Sequence, residues 1–125
     1  MFEDKTIFIM TYSIETIIAE KFETIISRNI LNTRAKDFYD IYMLVQQNNF
    51  NKKNLVTAIN KTFTKRETSS NIKEIEKVIQ SISTSKLLMD LWIKYKQIYP
   101  YAKNIEFNDI INSLNKIVAI LNNQI

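Results

Sequence analysis

Apolar residues recur at intervals of three and four along most of the chain, and this spacing predicts helices. The first helix follows Ser13, a residue type that favours helix N-caps, and the second runs from about Ala35 to Gln47. Four more helices are predicted between residues 51 and 121, the third capped by Asn51 and the fifth ending before Pro100. The second helix is apolar over most of its surface, so we expect it in the centre of a bundle.

One segment departs from this helical pattern. Residues 6–12 (TIFIMTY) are rich in β-branched and aromatic side chains and predict a β-strand with bulk on both faces. No second strand is predicted to pair with it, so we expect it to be disordered, folded over the bundle, or paired with a second copy in a homodimer. The predicted fold is mainly α: one domain over residues 1–125, with five to six helices in residues 13–125 and one N-terminal strand.

Composition excludes several kinds of chemistry. The 125 residues include no Gly, Cys or His. A Gly-rich phosphate loop, a disulfide, a Cys/His zinc site and a Ser-His-Asp triad are therefore excluded. A reaction would have to use carboxylates, Lys, Arg, Tyr and hydroxyl groups, with a hard cation such as Mg²⁺. No apolar run reaches the roughly 20 residues that span a membrane. The lack of Cys and of an export signal favours the cytoplasm.

The positive charge is concentrated in the second part of the chain. Residues 1–50 have a net charge of −2 and residues 51–125 a net charge of +6, within a total of +4. A basic segment of this kind can bind nucleic acid. It can also reflect lysines on solvated helix faces in a chain from an AT-rich genome, and the ratio of 14 Lys to 3 Arg favours this second interpretation.

Two cations of the first helix lie where packing calls for apolar side chains. Lys21 follows Ile14 by seven residues, on the apolar face of the helix, and Arg28 follows after another seven. The Lys21 side chain can extend past the edge of the core to solvent. Alternatively, the two cations meet an anion such as a phosphate in a cleft.

Two acids open the second helix. Asp37 and Asp40 are three residues apart and share one face. The helix macrodipole alone favours acids in a first turn, but one of the carboxylates can also lie beside Lys21 and Arg28. The loop between the first two helices is short and makes them antiparallel neighbours. We therefore expect Lys21 and Asp37 to approach each other on one side of the bundle, at a partly open groove.

Two adjacent motifs resemble those of a known family. The run TYSIETIIAEKFETIISR, followed after a short loop by TRAKDFYDIYML, is similar to the AbiEii nucleotidyltransferase toxins. In that family an "AEK…R" helix precedes an "R-x-K-D-x-Y-D" helix. The TFTKRET stretch, the helix with Trp92 and the run IEFNDIINSLNKIVAIL are similar to the family's helical C-terminal portion. The resemblance covers nearly the whole chain from about Ile7.

The resemblance implies the C-terminal half of a polymerase-β-like nucleotidyltransferase, a toxin of a toxin–antitoxin or abortive-infection system that defends against phage. It implies that Lys21 contacts the nucleotide phosphates and that Asp37 is the acidic catalytic residue. Arg28, Arg34 and Asp40 would support nucleotide binding. Mg²⁺ and an NTP are the implied cofactors, and an RNA acceptor and an antitoxin are the implied partners.

The chain lacks two sequence features that the family has. The family's Gly-Ser loop and paired metal-binding aspartates are missing from a chain without glycine. We therefore expect a truncated product, a fragment or one part of a split protein, whose partner is the missing N-terminal catalytic half. Two-metal catalysis needs those aspartates, so we expect this chain alone to bind no metal, to hold no cofactor and to be inactive. The alternative is a helical nucleic-acid- or protein-binding module without catalysis.

Overall fold

The computed structural model describes residues 13–123, which form six α-helices and no strand. The helices are α1 (Ile14–Arg28), α2 (Ala35–Gln47), α3 (Lys52–Lys65), α4 (Ile72–Ser83), α5 (Lys86–Ile98) and α6 (Phe107–Asn122). Short 3-10 turns at Asn29–Leu31 and Pro100–Ala102 precede α2 and α6. The mainly helical class is confirmed, and the strand predicted at residues 6–12 lies outside the described residues. Of the helices in this part of the chain, none is long and apolar enough to cross a membrane.

Side-chain caps fix where most of the helices begin. In α1, α3, α4 and α5 a side-chain oxygen accepts the backbone N–H three residues further on; the caps are Ser13, Asn51, Asn71 and Ser85. Helix α6 starts with a reciprocal capping box between Glu106 and Asp109. A cap of this kind stabilises a helix by about 1 kcal/mol. Local sequence therefore sets these boundaries, and Ser13 and Asn51 are the two that the pattern predicts.

All six helices contribute to one cluster of buried apolar side chains. Phe22 of α1 and Phe63 of α3 are fully buried, and their ring centroids lie 5.9 Å apart. Between α5 and α6, the indole N–H of Trp92 donates to the buried carbonyl of Ile105 at 2.8 Å. Helix α2 contacts α1, α5 and α6, as its apolar surface predicts. Burying each large side chain contributes about 1.5–3 kcal/mol, so this cluster supplies the main stabilisation of the bundle.

Two buried acids of α1 bind the two ends of α3. Oε2 of Glu15 accepts the backbone N–H of Asn51 at 2.7 Å, at the start of α3. Just beyond the end of α3, Glu23 accepts hydrogen bonds from the guanidinium of Arg66 at 2.8 Å and from the hydroxyl of Thr68 at 2.6 Å. Glu23 is only 3% exposed, so its charge has to be met by protein donors. The two helices therefore run in the same direction, with their relative position fixed at both ends.

Without glycine, the chain uses other residues for left-handed backbone. Within residues 13–123, positive φ angles occur at Asn29 (54°), Asn48 (56°) and Glu67 (57°). Asn tolerates this region better than most residues, whereas Glu does not. The N–H of Glu67 donates to the Thr64 carbonyl and that of Thr68 to the Phe63 carbonyl. This is the Schellman pattern at a helix end, in which glycine is preferred at the position that Glu67 occupies.

Replacing Glu67 by glycine is expected to stabilise the protein by about 1 kcal/mol, because glycine has no Cβ to clash in the left-handed region. For a domain of this size the corresponding rise in melting temperature is about 4 °C. Thermal unfolding followed by circular dichroism measures the change. Glu67→Ala is the matched control, because it removes the same carboxylate but keeps the Cβ. An equal gain in both variants would show that charge, and not backbone conformation, is responsible.

Candidate anion-binding site

An open cleft of about 420 Å³ lies between one side of α1, the start of α2 and the turn after α3. Its charged lining consists of four cations and two acids: Lys21, Arg28, Arg34, Arg66, Glu20 and Asp37. Ile17 and Thr24 complete the lining. Lys21 and Arg66 are each paired with an acid just outside the lining, Asp40 and Glu23. The exposed Arg28 and Arg34 are therefore the cations of the cleft that favour an anion.

All three arginines of the chain line this cleft. The sequence has 14 Lys and only 3 Arg, and the arginines come from α1, from the start of α2 and from the end of α3. Of the lysines within residues 13–123, Lys21 alone is part of the lining. Arginine presents a planar fork of donors that matches two oxygens of a phosphate or carboxylate, which lysine cannot do. Three such forks therefore lie around one cleft.

Lys21 is half-buried, as its place on the apolar face of α1 predicts. Its Nζ lies 3.1 Å from Oδ2 of Asp40 on α2, and its side chain remains 31% exposed. Lys36 binds the same Asp40 oxygen at 3.0 Å. The structure therefore brings Lys21 and Asp37 into one open cleft, but the ion pair of Lys21 is with Asp40. Asp40 itself lies beside the cleft and positions the ammonium group.

Asp37 is buried in the wall of the cleft, with 7% of its surface exposed. Its Oδ2 accepts a long hydrogen bond of 3.4 Å from the side-chain amide of Asn32. Oδ1 of Asn32 accepts the backbone N–H of Arg34 at 3.0 Å, which is the hydrogen bond of an Asx turn. Asn32 thus binds the side chain of Asp37 and the backbone of Arg34, two residues that line the cleft. Sequence reasoning missed this residue, although an Asn just before a helix is typical of such a turn.

The three arginine side chains differ in whether they form an ion pair. Arg28 and Arg34 are exposed, and neither forms an ion pair with any residue of the 13–123 range. Arg66 pairs with the buried carboxylate of Glu23. Arg66 is a second residue that sequence reasoning missed, because its partner is 43 positions away and no local pattern links the two.

The described residues do not fit a metal ion. Among residues 13–123, no group of three or more acidic side chains lies close enough to hold a cation. Asp37 is bound by an amide, and Asp40 is bound by two lysines. Mg²⁺ prefers several oxygen ligands that include carboxylates. The carboxylates of the cleft therefore do not form a magnesium site among residues 13–123.

Four tyrosines pack at the α2–α5 contact and the turn after α5. They are Tyr39, Tyr95, Tyr99 and Tyr101, called here the tyrosine cluster, with neighbouring ring centroids 4.7 to 6.2 Å apart. The hydroxyls of Tyr95 and Tyr101 are 2.7 Å apart. Burial, with a contribution from this hydrogen bond, raises the pKa of Tyr95 above its ordinary value. Tyr99 and Tyr101 are 42% and 54% exposed, so the cluster presents aromatic rings to solvent.

Residues 13–123 thus form a helical bundle with an arginine-lined cleft. The chain belongs to the family described as nucleotidyl transferase AbiEii toxin, type IV toxin–antitoxin system, whose model matches residues 1–112. The family indicated by the two helical motifs is thus confirmed, and membership implies an antitoxin in the same system. No curated protein sequence and no solved structure matches the chain. The roles of the individual cleft residues stay predictions.

The Lys36–Asp40 pair gives a pH-dependent prediction. The hydrogen bond to Asp40, together with the charge of this carboxylate, raises the pKa of Lys36 above 10.5. Because the pKa of Lys36 is higher in the folded chain than in the unfolded one, the Lys36–Asp40 pair stabilises the fold fully below pH 10.5. This contribution is lost as the pH rises through the raised pKa. We expect Asp40→Asn to lower the pKa of Lys36 towards 10.5, measured by NMR titration of its side chain. Asp90→Asn, which breaks the exposed pair with Lys86 on α5, should leave the pKa of Lys36 unchanged.

Proposed function

We propose that this chain supplies the nucleotide-phosphate-binding part of a nucleotidyltransferase toxin. Lys21, Arg28 and Arg34 hold phosphate oxygens in the cleft. The observation that carries the proposal is the convergence of all the chain's arginines and one half-buried lysine on a single open cleft. Phosphoryl transfer depends mainly on positioning and charge neutralisation, with little covalent participation by the protein. Charged forks of this kind supply both.

The two carboxylates of α2 have different roles in this proposal. Asp37 lies in the wall of the cleft with its orientation set by Asn32. It acts as the acidic catalytic residue by accepting a hydrogen bond from a hydroxyl of the nucleotide or acceptor. Asp40 holds Lys21 at the edge of the cleft by the 3.1 Å ion pair. The exposed part of the Lys21 side chain leaves its ammonium group within reach of a phosphate.

The proposal also divides the enzyme between polypeptide segments. Mg²⁺, when bound, neutralises phosphate charge and activates the attacking hydroxyl. Within residues 13–123, no cluster of three or more acidic side chains is present to hold Mg²⁺, and the chain has no glycine for a phosphate loop. A polymerase-β-like catalytic part, supplied by protein outside these 125 residues, would hold the metal. An RNA acceptor, a cytoplasmic location and a role in abortive infection complete the proposal, and their support is family membership.

We expect the purified chain to bind nucleoside triphosphates, with affinity that falls as salt is added. Lys21→Ala, Arg28→Ala and Arg34→Ala should each weaken binding about tenfold, because each removes a charge-assisted hydrogen bond. Isothermal titration calorimetry measures the affinities. Lys116→Ala, an exposed lysine of α6 outside the cleft, is the matched control. An equal loss in this control would show that general positive charge, and not the cleft, binds the ligand.

We expect no nucleotide transfer by the chain alone, because metal-holding carboxylates are missing from its described residues. The assay combines purified chain, each labelled NTP in turn, Mg²⁺ and tRNA, and detects label in the RNA. Nucleotide transfer by the wild-type chain that is lost in Asp37→Asn would show that these 125 residues form a complete active site. The proposed division of the enzyme would then be wrong.

The alternative function is nucleic-acid binding without catalysis. The observation in its favour is the tyrosine cluster, where the rings of Tyr99 and Tyr101 lie 5.5 Å apart and are partly exposed. Bases of single strands stack on exposed aromatic rings beside basic side chains. Single-stranded RNA binding that is lost in Tyr101→Ala but unchanged in Arg34→Ala would favour this alternative. Triphosphate binding that is lost in Arg34→Ala but unchanged in Tyr101→Ala would favour the proposed binding in the cleft.

A further inference from the structure

We propose that Arg66 is a further anion-binding residue of the cleft, and that Glu23 and Thr68 are the positioning residues that hold it there. This inference rests on the proposed phosphate-binding function. It adds to that function a donor fork from the residue that follows α3. The ligand class is a polyphosphate with more than one phosphate group, because the cleft cations come from three elements.

Only one nitrogen of the Arg66 guanidinium is used within the described protein. Nη1 donates to Oε1 of Glu23 at 2.8 Å and to the Thr24 hydroxyl at 3.3 Å. Nε and Nη2 donate to no acceptor among residues 13–123. These two nitrogens form one edge of the planar group, which can bind two oxygens of a phosphate side by side. The side chain is 41% exposed and lines the cleft, so this edge is accessible to a ligand.

The carboxylate that holds Arg66 has both oxygens engaged. Oε1 of Glu23 accepts from Arg66, and Oε2 accepts the hydroxyl of Thr68 at 2.6 Å. The Glu23 side chain is 5% exposed. A buried carboxylate bound through both oxygens is restricted to one orientation, and it therefore fixes the position of Nη1 and the plane of the guanidinium.

The backbone that carries Arg66 and Thr68 is also restricted. The Schellman hydrogen bonds close the end of α3, with Glu67 in the left-handed region. Arg66 and Thr68 flank Glu67, so both side chains leave a turn of fixed shape. A partly exposed ion pair contributes little to stability on its own. Besides packing α1 against α3, the arrangement holds the Arg66 guanidinium in place beside the cleft.

The first test measures binding of inorganic triphosphate to the complete chain by calorimetry. Arg66→Lys should weaken binding about tenfold, because an ammonium group paired with Glu23 has no planar, parallel pair of donors left for two phosphate oxygens. Thr68→Val removes one hydrogen bond to Glu23 without touching the cleft and should weaken binding about threefold. Thr68→Ser keeps the hydroxyl and should restore the wild-type affinity. Lys65→Ala, an exposed neighbour outside the cleft, is the control.

The second test separates positioning from simple charge and from stability. Glu23→Gln makes the cleft more positive, so charge alone would strengthen triphosphate binding. If Glu23 instead positions the Arg66 guanidinium, Glu23→Gln weakens triphosphate binding, and it does so only while Arg66 is present. We expect Glu23→Gln to reduce affinity in the wild-type chain but not in an Arg66→Ala background. A structural role alone would lower the melting temperature in both backgrounds without this dependence.

The outcomes distinguish the two proposals. Binding by the wild-type chain that Arg66→Lys leaves unchanged would overturn the role of Arg66 and leave the proposed function standing. Equal effects of Glu23→Gln in both backgrounds, or stronger binding, would overturn the role of Glu23. If Glu23→Gln fails to fold, the comparison of Thr68→Val with Thr68→Ser tests positioning in its place, and equal affinities in those two variants would overturn it. No triphosphate binding by the wild-type chain would refute the proposed function itself.

Discussion

The two buried carboxylates of α1 constrain how the rest of the bundle is arranged. Glu15 binds the start of α3 and Glu23 binds the residues just past its end. Each acid is costly to bury unless donors meet it, and these donors are present only when α1 and α3 lie parallel in one register. The connecting helix α2, which packs on α1, α5 and α6, then has to run back in the opposite direction. Arg34, just before its start, and Asp37, in its first turn, are thereby placed beside the C-terminal part of α1.

The same constraint couples the cleft to the fold. Glu23 stabilises the α1–α3 pairing and, through Nη1 of Arg66, determines how one cation of the cleft is presented. Asn32 performs a similar double function at the start of α2, where it closes an Asx turn and hydrogen-bonds Asp37. Two charged groups of the cleft, Asp37 and Arg66, are thus held by buried side chains. Groups held in this way lose little entropy when a ligand binds.

The amino-acid composition affects this architecture in two ways. Because glycine is missing, the chain ends its helices with Asn, or with the strained Glu67, at left-handed positions. Because lysine is abundant, net charge says little about where an anion would bind. The scarce arginines are the informative cations, and all three of them line the cleft.

The helices, the family and the general location of the cleft follow from patterns that are local in the sequence. Helical periods and caps such as Ser13 and Asn51 depend on residues within four positions of each other, so they can be read locally. The apolar face around Lys21 and the short loop before Asp37 were enough to predict that those two residues share one groove. Tertiary packing, in contrast, sets the pairing of Lys21 with Asp40 and the position of Arg66 in the cleft beside Glu23. These choices depend on how packed helices shift and rotate against one another, which the period of a single helix does not specify.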